Sequence, residues 1–322
     1  MPHPRPLVPL ALATVAVLLA GCAPAATAGG TPSPEAVEVR NCGVDVTFDQ
    51  APERVVTIKS TSTEMLLALG LGDRIVGTAF PDGPVPGEWA DAARDIPVLS
   101  SSMPSEEAVL DLEPDLVYAG WESAFAPEAA GDRDELHALG VATYVQPAAC
   151  RSADVPAALD FEEVFREIAE VAGIFRVDAT ELIEAQRSEL AAIEPDTRGL
   201  TALWYSSGRE TPYVGAGTGA PQLVLETAGL TNIAGDIDET WSSLGWEVVV
   251  DADPDVIVLI DSDWNSAQNK IEVLETNPAT ARLSAVRNGA YIVLPFASGE
   301  AGVRSVSAAA SVADQLRELD LP

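Results

Sequence analysis

Histidine is nearly missing from this chain: it has 2, His3 and His137, and only His137 lies beyond the leader described below. With 3 cysteines besides, there is no His/Cys cluster to hold a transition metal, and no metal site is expected. His137 falls in a helical pattern from Asp134 to Leu139 and reads as a surface residue. Gly-x-Ser-x-Gly and Ser-x-x-Lys are both absent, which removes a nucleophile elbow and a Ser/Lys pair. Basic residues are scarce, 18 Lys and Arg against 50 Asp and Glu, for a formal net charge of −32. Such a field repels nucleic acid and anionic lipid as general partners. Carboxylate pairs are too plentiful to diagnose a reaction, so a surface-tethered hydrolase stands as a weak alternative to a non-enzymatic binding protein. A ligand sensor that signals without transport is another.

The chain has one long apolar run, and it lies at the N-terminus. Arg5 precedes an apolar stretch from Leu7 to Ala20, followed by Leu19-Ala20-Gly21-Cys22. The run is too short for a permanent span and ends in small residues, so 1–21 reads as an export signal. The LAGC stretch resembles the lipobox of bacterial lipoproteins, which makes Cys22 the expected lipidation site. Residues 22–37 then form the anchor and tether, since Ala23 to Ser33 has neither charge nor a large apolar side chain to pack. The expected location is the outer face of the cytoplasmic membrane, held by lipid alone. Cys42 and Cys150 remain, in a compartment that permits disulfides, and a bridge between them is expected.

What the chain has in place of metal or nucleophile motifs is a cassette used twice. Glu107 to Ser123 reads EAVLDLEPDLVYAGWES and Glu247 to Asp263 reads EVVVDADPDVIVLIDSD. At constant offset they share Glu107/Glu247, Val109/Val249, Asp111/Asp251, Pro114/Pro254 and Asp115/Asp255. Each copy is a short helix with an acidic start, a stop before proline, and a non-alternating apolar run suited to a strand buried on both faces. Two copies half a chain apart imply two α/β lobes of similar build, and the cleft between lobes is a usual ligand site.

In chain order, Arg54 to Ile58 reads as a strand, Lys59 to Thr63 as a polar loop and Glu64 to Leu69 as a helix. A lysine and hydroxyls beside a helix N-terminus suit an anion. Further strands are expected at Arg74 to Thr78 and Val141 to Val145. From Asp160, a helix N-cap with Glu163 three residues on, a helical pattern breaks near Gly173, resumes from Ala179 to Ile193 and stops at Pro195, about 30 residues of nearly continuous helix that form a rigid spacer. Leu200 to Trp204 opens the second lobe as a strand, with Tyr205 to Arg209 as its exit loop. Gly215 to Gly219 reads as a turn, because it lacks the Gly-Lys-Ser/Thr of a nucleotide loop. The expected organisation is an N-terminal lobe over 38–159, a helical linker over 160–194 and a C-terminal lobe over 195–322. Lys59, Thr61, Trp121, Tyr205, Arg209, Trp241, Trp264 and Arg304 lie in predicted loops after strands or near the cassettes and are the candidate ligand contacts.

A lipobox, a tether, two lobes with the Glu…Pro-Asp-strand cassette and a helical spacer resemble the substrate-binding proteins of ABC importers. The resemblance is to the class that carries ferric siderophores, haem and cobalamin, and runs from about Val39 to the C-terminus. It implies two Rossmann-like lobes with parallel sheets joined by a helical spacer, the class III periplasmic binding protein fold, in a monomer with no bound cofactor. It also implies that Glu107 and Glu247 dock onto arginines of an ABC permease. The stretches NCGVDVTFDQAPERVVTIKSTSTEMLLALGLGDRIVG, EPDLVYAGWES, LTALWYSSG, TPYVGAGTGAPQ and ADPDVIVLIDSDWN are similar to a subgroup named for binding the deazaflavin coenzyme precursor F420-0. That likeness implies a mid-sized anionic ligand, with a ferric siderophore or cobalamin as the alternative.

Overall fold

Apolar runs buried on both faces set the architecture of this protein, seen in a computed structural model that describes Met1 and residues 36–151 and 158–321. The proposed leader, Cys22 and nearly all of the tether lie outside the described residues. A hairpin comes first, β1 (Val37–Asn41) and β2 (Val44–Phe48). The first large sheet holds β3 (Val55–Ile58), β4 (Ile75–Ala79), β5 (Val98–Ser100), β6 (Leu116–Ala119) and β7 (Ala142–Val145). Its strands are all parallel, in the order β5-β4-β3-β6-β7. Its helices are α1 (Ser60–Ala68), α2 (Ala90–Ala93), α3 (Glu106–Leu110) and α4 (Arg133–Ala138), with α5 (Phe161–Phe175) and α6 (Thr180–Ala192) following.

The second sheet holds β8 (Thr201–Ser207), β9 (Tyr213–Gly215), β10 (Thr231–Asn232), β11 (Trp241–Ser243), β12 (Val256–Asp261) and β13 (Tyr291–Pro295). Its helices are α7 (Ala220–Thr227), α8 (Trp246–Ala252), α9 (Ala267–Thr276), α10 (Ser284–Asn288) and α11 (Ser305–Glu318). This sheet is mixed where an all-parallel one was expected. β10, β8, β12 and β13 are parallel, whereas β9 runs against β8 and β11 against β9. The cause is the tight reversal after β8. Gly208 has φ +85°, and a Cβ there would meet the Thr211 carbonyl oxygen at 2.1 Å, so β8 turns straight back into β9.

Both cassettes fold alike. α3 leads into β6 and α8 into β12, and β6 and β12 are buried along nearly their whole length. The residues before the prolines, Glu113 and Asp253, take left-handed conformations at φ 46° and 41°, the escape from the α region that proline imposes. The repeated aspartates then have one job each. Asp115 accepts the backbone N–H groups of Glu53 (2.7 Å) and Arg54 (3.0 Å), and Asp255 accepts the Thr201 backbone N–H (2.8 Å) and the Thr201 hydroxyl O–H (2.9 Å). Each therefore fixes the entry to the neighbouring strand, β3 or β8.

Two expectations need correction. Ser60 to Thr63 form the first turn of α1 and not a loop, because Asp82 accepts the Ser60 N–H (3.2 Å) and supplies the missing cap from outside the helix. The spacer is not a straight rod. Asp160 caps α5 through the Glu163 N–H (2.8 Å), but the chain turns at Arg176, φ 57°, and α6 folds back. Arg187 reaches Glu162 (2.6 Å), although a continuous helix would hold residues 25 positions apart at roughly 37 Å. Glu35–Pro322 forms one unit, with an apolar core that runs from Val55 and Tyr118 through α5 to Trp204, Val258 and α11.

Candidate functional site

In a parallel βα arrangement the loops that follow the strands gather at the carboxyl ends of the sheet, the usual ligand position. Lys59 follows β3, Phe80 and Asp82 follow β4, Trp121 follows β6, Gln146 follows β7, and the segment Phe296–Glu300 follows β13. A cavity of about 410 Å³ opens there. Trp121, Glu122 and Gln146, which follow strands of the first sheet, line it together with Tyr213, Trp241 and Glu300 of the second half. The Tyr213 and Trp241 rings stack at 6.0 Å with 14° between their planes. Arg151 is the cation lining the cavity among the described residues.

Behind the wall lies an inward-facing lysine. Lys59 is fully buried at φ 80°, ion-paired with Asp82, with its ammonium 3.9 Å from the Trp121 ring, 4.1 Å from Phe80 and 4.7 Å from Phe296. Three aromatic faces and one carboxylate offset much of the cost of burying that charge. Burial pushes the Asp82 carboxyl up, opposed by Lys59. Gly120 is required beside this cluster, since a Cβ would meet the Thr61 hydroxyl at 2.5 Å and the Lys59 Cβ at 2.9 Å.

Glu300 ties the two sheets together. Its carboxylate accepts the Trp121 indole N–H and the Thr61 hydroxyl (3.0 Å). Burial is the main force that pushes it up to about 7; Asp82 adds to this and Lys59 opposes it. Further along, Arg304 makes a two-pronged contact with buried Glu64, whose carboxyl burial raises and Arg304 lowers. Gln146 donates to the Ala301 carbonyl, and Gln186 of α6 to that of Val303 (2.9 Å).

The sequence-predicted contacts therefore divide. Trp121 and Trp241 line the cavity. Thr61 lies one layer behind them, bound to Glu300. Lys59 and Arg304 are not free cations for an anion, because Asp82 and Glu64 hold them. Tyr205 is not at the cavity but in the core, edge-on to Trp246 at 5.4 Å, with its hydroxyl given to the Gly208 carbonyl. The Arg209 side chain is exposed while its carbonyl accepts the Trp246 indole N–H (2.9 Å), and half-exposed Trp264 covers Phe296 at 5.2 Å. Glu300, Gln146, Tyr213, Asp82 and Arg151 were not foreseen. Asp82 and Glu300 had a usable signal, an acid within a few residues of a strand's carboxyl end. Glu107 and Glu247 are exposed in the first turns of α3 and α8. Cys42 and Cys150 form a disulfide.

A family model described as periplasmic binding protein matches residues 55–297, more than half of the chain. The chain belongs to the periplasmic binding protein family. Within it, this is an ABC-type substrate-binding protein of the siderophore, haem and cobalamin class. It is 24% identical over 322 residues to an uncharacterized ABC transporter substrate-binding lipoprotein, YvrC, of Bacillus subtilis (strain 168), covering 95% of each chain. A cobalamin-binding protein of Halobacterium salinarum is 31% identical over 230 residues, which are 66% of this chain and 55% of that protein. Among solved structures, the ABC-type Fe3+-hydroxamate transport system from Saccharomonospora viridis superposes with a TM-score of 0.74 at 29% identity, covering 87% of this chain and 98% of that one. A periplasmic binding protein from Veillonella parvula gives 0.77 at 27% identity, covering 89% and 99%. This periplasmic binding protein thus has the class III fold expected of it. Among its described residues no helix is long and apolar enough to cross a membrane, and no group of three or more His, Cys, Asp or Glu side chains could hold a metal ion.

Proposed function

We propose that this periplasmic binding protein is the lipid-anchored receptor of an ABC importer and captures a corrinoid of the cobalamin type between the carboxyl ends of its two sheets. The observation that carries the reading is the cavity with Trp121 on one wall and the Tyr213–Trp241 stack on the other. Aromatic faces suit a large, flat, weakly charged ring system edged with amides. The cations that would have favoured an anionic ligand, Lys59 and Arg304, are already paired. The 31% identical relative is named for binding cobalamin, in line with this choice.

Arg151 beside the stacked rings supports a second reading, the deazaflavin precursor F420-0 with its phosphodiester against the guanidinium. Delivery is assigned to Glu107 and Glu247, which stand exposed in the first turns of corresponding helices and suit a bridge to basic residues of a permease. The ligand is handed on unchanged. Titrating the chain from Ala23 onward with cyanocobalamin, a ferric hydroxamate and F420-0, while following tryptophan fluorescence and thermal stability, tests the reading. Cyanocobalamin at a hundredfold excess over Kd should stabilise the protein by about 2.7 kcal/mol. Stabilisation by F420-0 alone would transfer the assignment to the second reading.

A further inference from the structure

The segment from Phe296 to Arg304, between β13 and α11, is continuous with the second sheet but is held by residues of the first. Glu300 accepts from Trp121 and Thr61, Ala301 accepts from Gln146, and Arg304 binds Glu64. These contacts fix the Glu300 carboxylate in the cavity wall. A carboxylate has roughly four acceptor positions, and the two protein donors leave about two of them open. Nothing nearby cancels its charge outright. The Lys59–Asp82 pair lies behind it, the Glu64–Arg304 pair lies along the segment, and Glu122 and Arg151 line the same cavity. Glu122 accepts the Arg151 backbone N–H, leaving the Arg151 guanidinium and the two carboxylates as the cavity's charged groups among the described residues.

We propose that Glu300 selects the ligand by its hydrogen-bonding sense, accepting an amide N–H or an ammonium of the bound molecule and excluding one that would bring a carboxylate or phosphate to that point. The inference rests on the reading that the ligand enters this cavity, and deepens it by naming the chemistry that meets the wall. A fixed acceptor that a wrong ligand cannot satisfy discriminates strongly, since like charges at short range repel and a carboxylate held by Trp121 and Thr61 is not free to swing away. With its carboxyl pushed up to about 7, Glu300 gains or loses its charge in the neutral range. A donor ligand should then bind more tightly above that point, and an anionic one below it.

The test compares the parent with Glu300→Gln and Glu300→Asp, each first checked for a native melting transition, using cyanocobalamin as an amide-bearing probe and ferric enterobactin as an anionic one. The parent should bind cyanocobalamin at about pH 8 and lose affinity towards about pH 6. Glu300→Gln should weaken cyanocobalamin binding by about tenfold at the higher pH and flatten the profile, the loss of one charged acceptor. Glu300→Asp should keep the pH dependence. An unchanged Kd and profile in Glu300→Gln would overturn the inference while leaving the corrinoid reading intact. Tighter binding of ferric enterobactin than of cyanocobalamin by the parent at about pH 8 would overturn both, as would failure of the parent to bind cyanocobalamin at all.

Discussion

Glu167 is the residue whose burial most directly predicts behaviour in solution. It lies inside α5, accepts from Gln146 (2.9 Å) and Tyr118 (3.4 Å), and its carboxyl is raised well above the ordinary range, by burial first and by Glu170 second. A raised folded-state pKa means that the folded protein keeps a proton the unfolded chain has lost. The associated stability is full below the ordinary carboxylate range and declines as pH rises towards the folded value. Glu64, Asp82 and Glu300 are raised too and act with the same sign. Chemical denaturation from about pH 5 to about pH 8 should therefore show declining stability, less steep in Glu167→Gln, which keeps an acceptor for Gln146. Equal slopes would mean that Glu167 is not the buried acid responsible. Trp121 and Trp241, expected as ligand contacts because both stand close to a cassette or strand end, line the cavity. Lys59 and Arg304 look available as lone cations in an acidic chain, but the partners that occupy them, Asp82 and Glu64, are 23 and 240 residues away in sequence.

At the scale of elements, the repeated cassette was legible because its information is local: a proline stop, an apolar run and an aspartate. The mixed second sheet was not, because the antiparallel turn depends on the close approach of Gly208 to Thr211 across a loop. The folding back of α6 on α5 was hidden for a related reason. Its ion pair, Glu162–Arg187, bridges two helices that each read as well-formed alone. The first hairpin is held by distant partners as well. Asn41 exchanges hydrogen bonds with Val145 on edge strand β7 (2.7 and 2.8 Å), and Arg133 donates to the Asn41 carbonyl (2.9 Å). The disulfide beside it, with Cα atoms 5.1 Å apart, closes a loop of 108 residues. Replacing both cysteines by serine should cost about 5 kcal/mol in the chain-entropy account, measured by denaturation in the absence of reductant. Full stability in the double variant would show that the Asn41 contacts alone hold the hairpin.

For the whole molecule, one core shared by both sheets and a tied segment from Glu300 to Arg304 describe a receptor whose halves are joined by packing as well as by helices. Large relative motion would break the buried Glu64–Arg304 pair, so we expect capture with limited closure. If Glu107 and Glu247 dock the permease, replacing both with alanine should abolish uptake and leave ligand affinity unchanged, and normal uptake would contradict that assignment. The cavity between the sheets carries the ligand assignment. Its most direct test is calorimetric titration of cyanocobalamin into the parent and into Trp121→Ala and Trp241→Ala, one variant from each wall. Saturable one-to-one binding by the parent, weakened at least about tenfold in both variants, is the predicted result. Affinity unaffected by either substitution would place the ligand elsewhere and contradict the assignment.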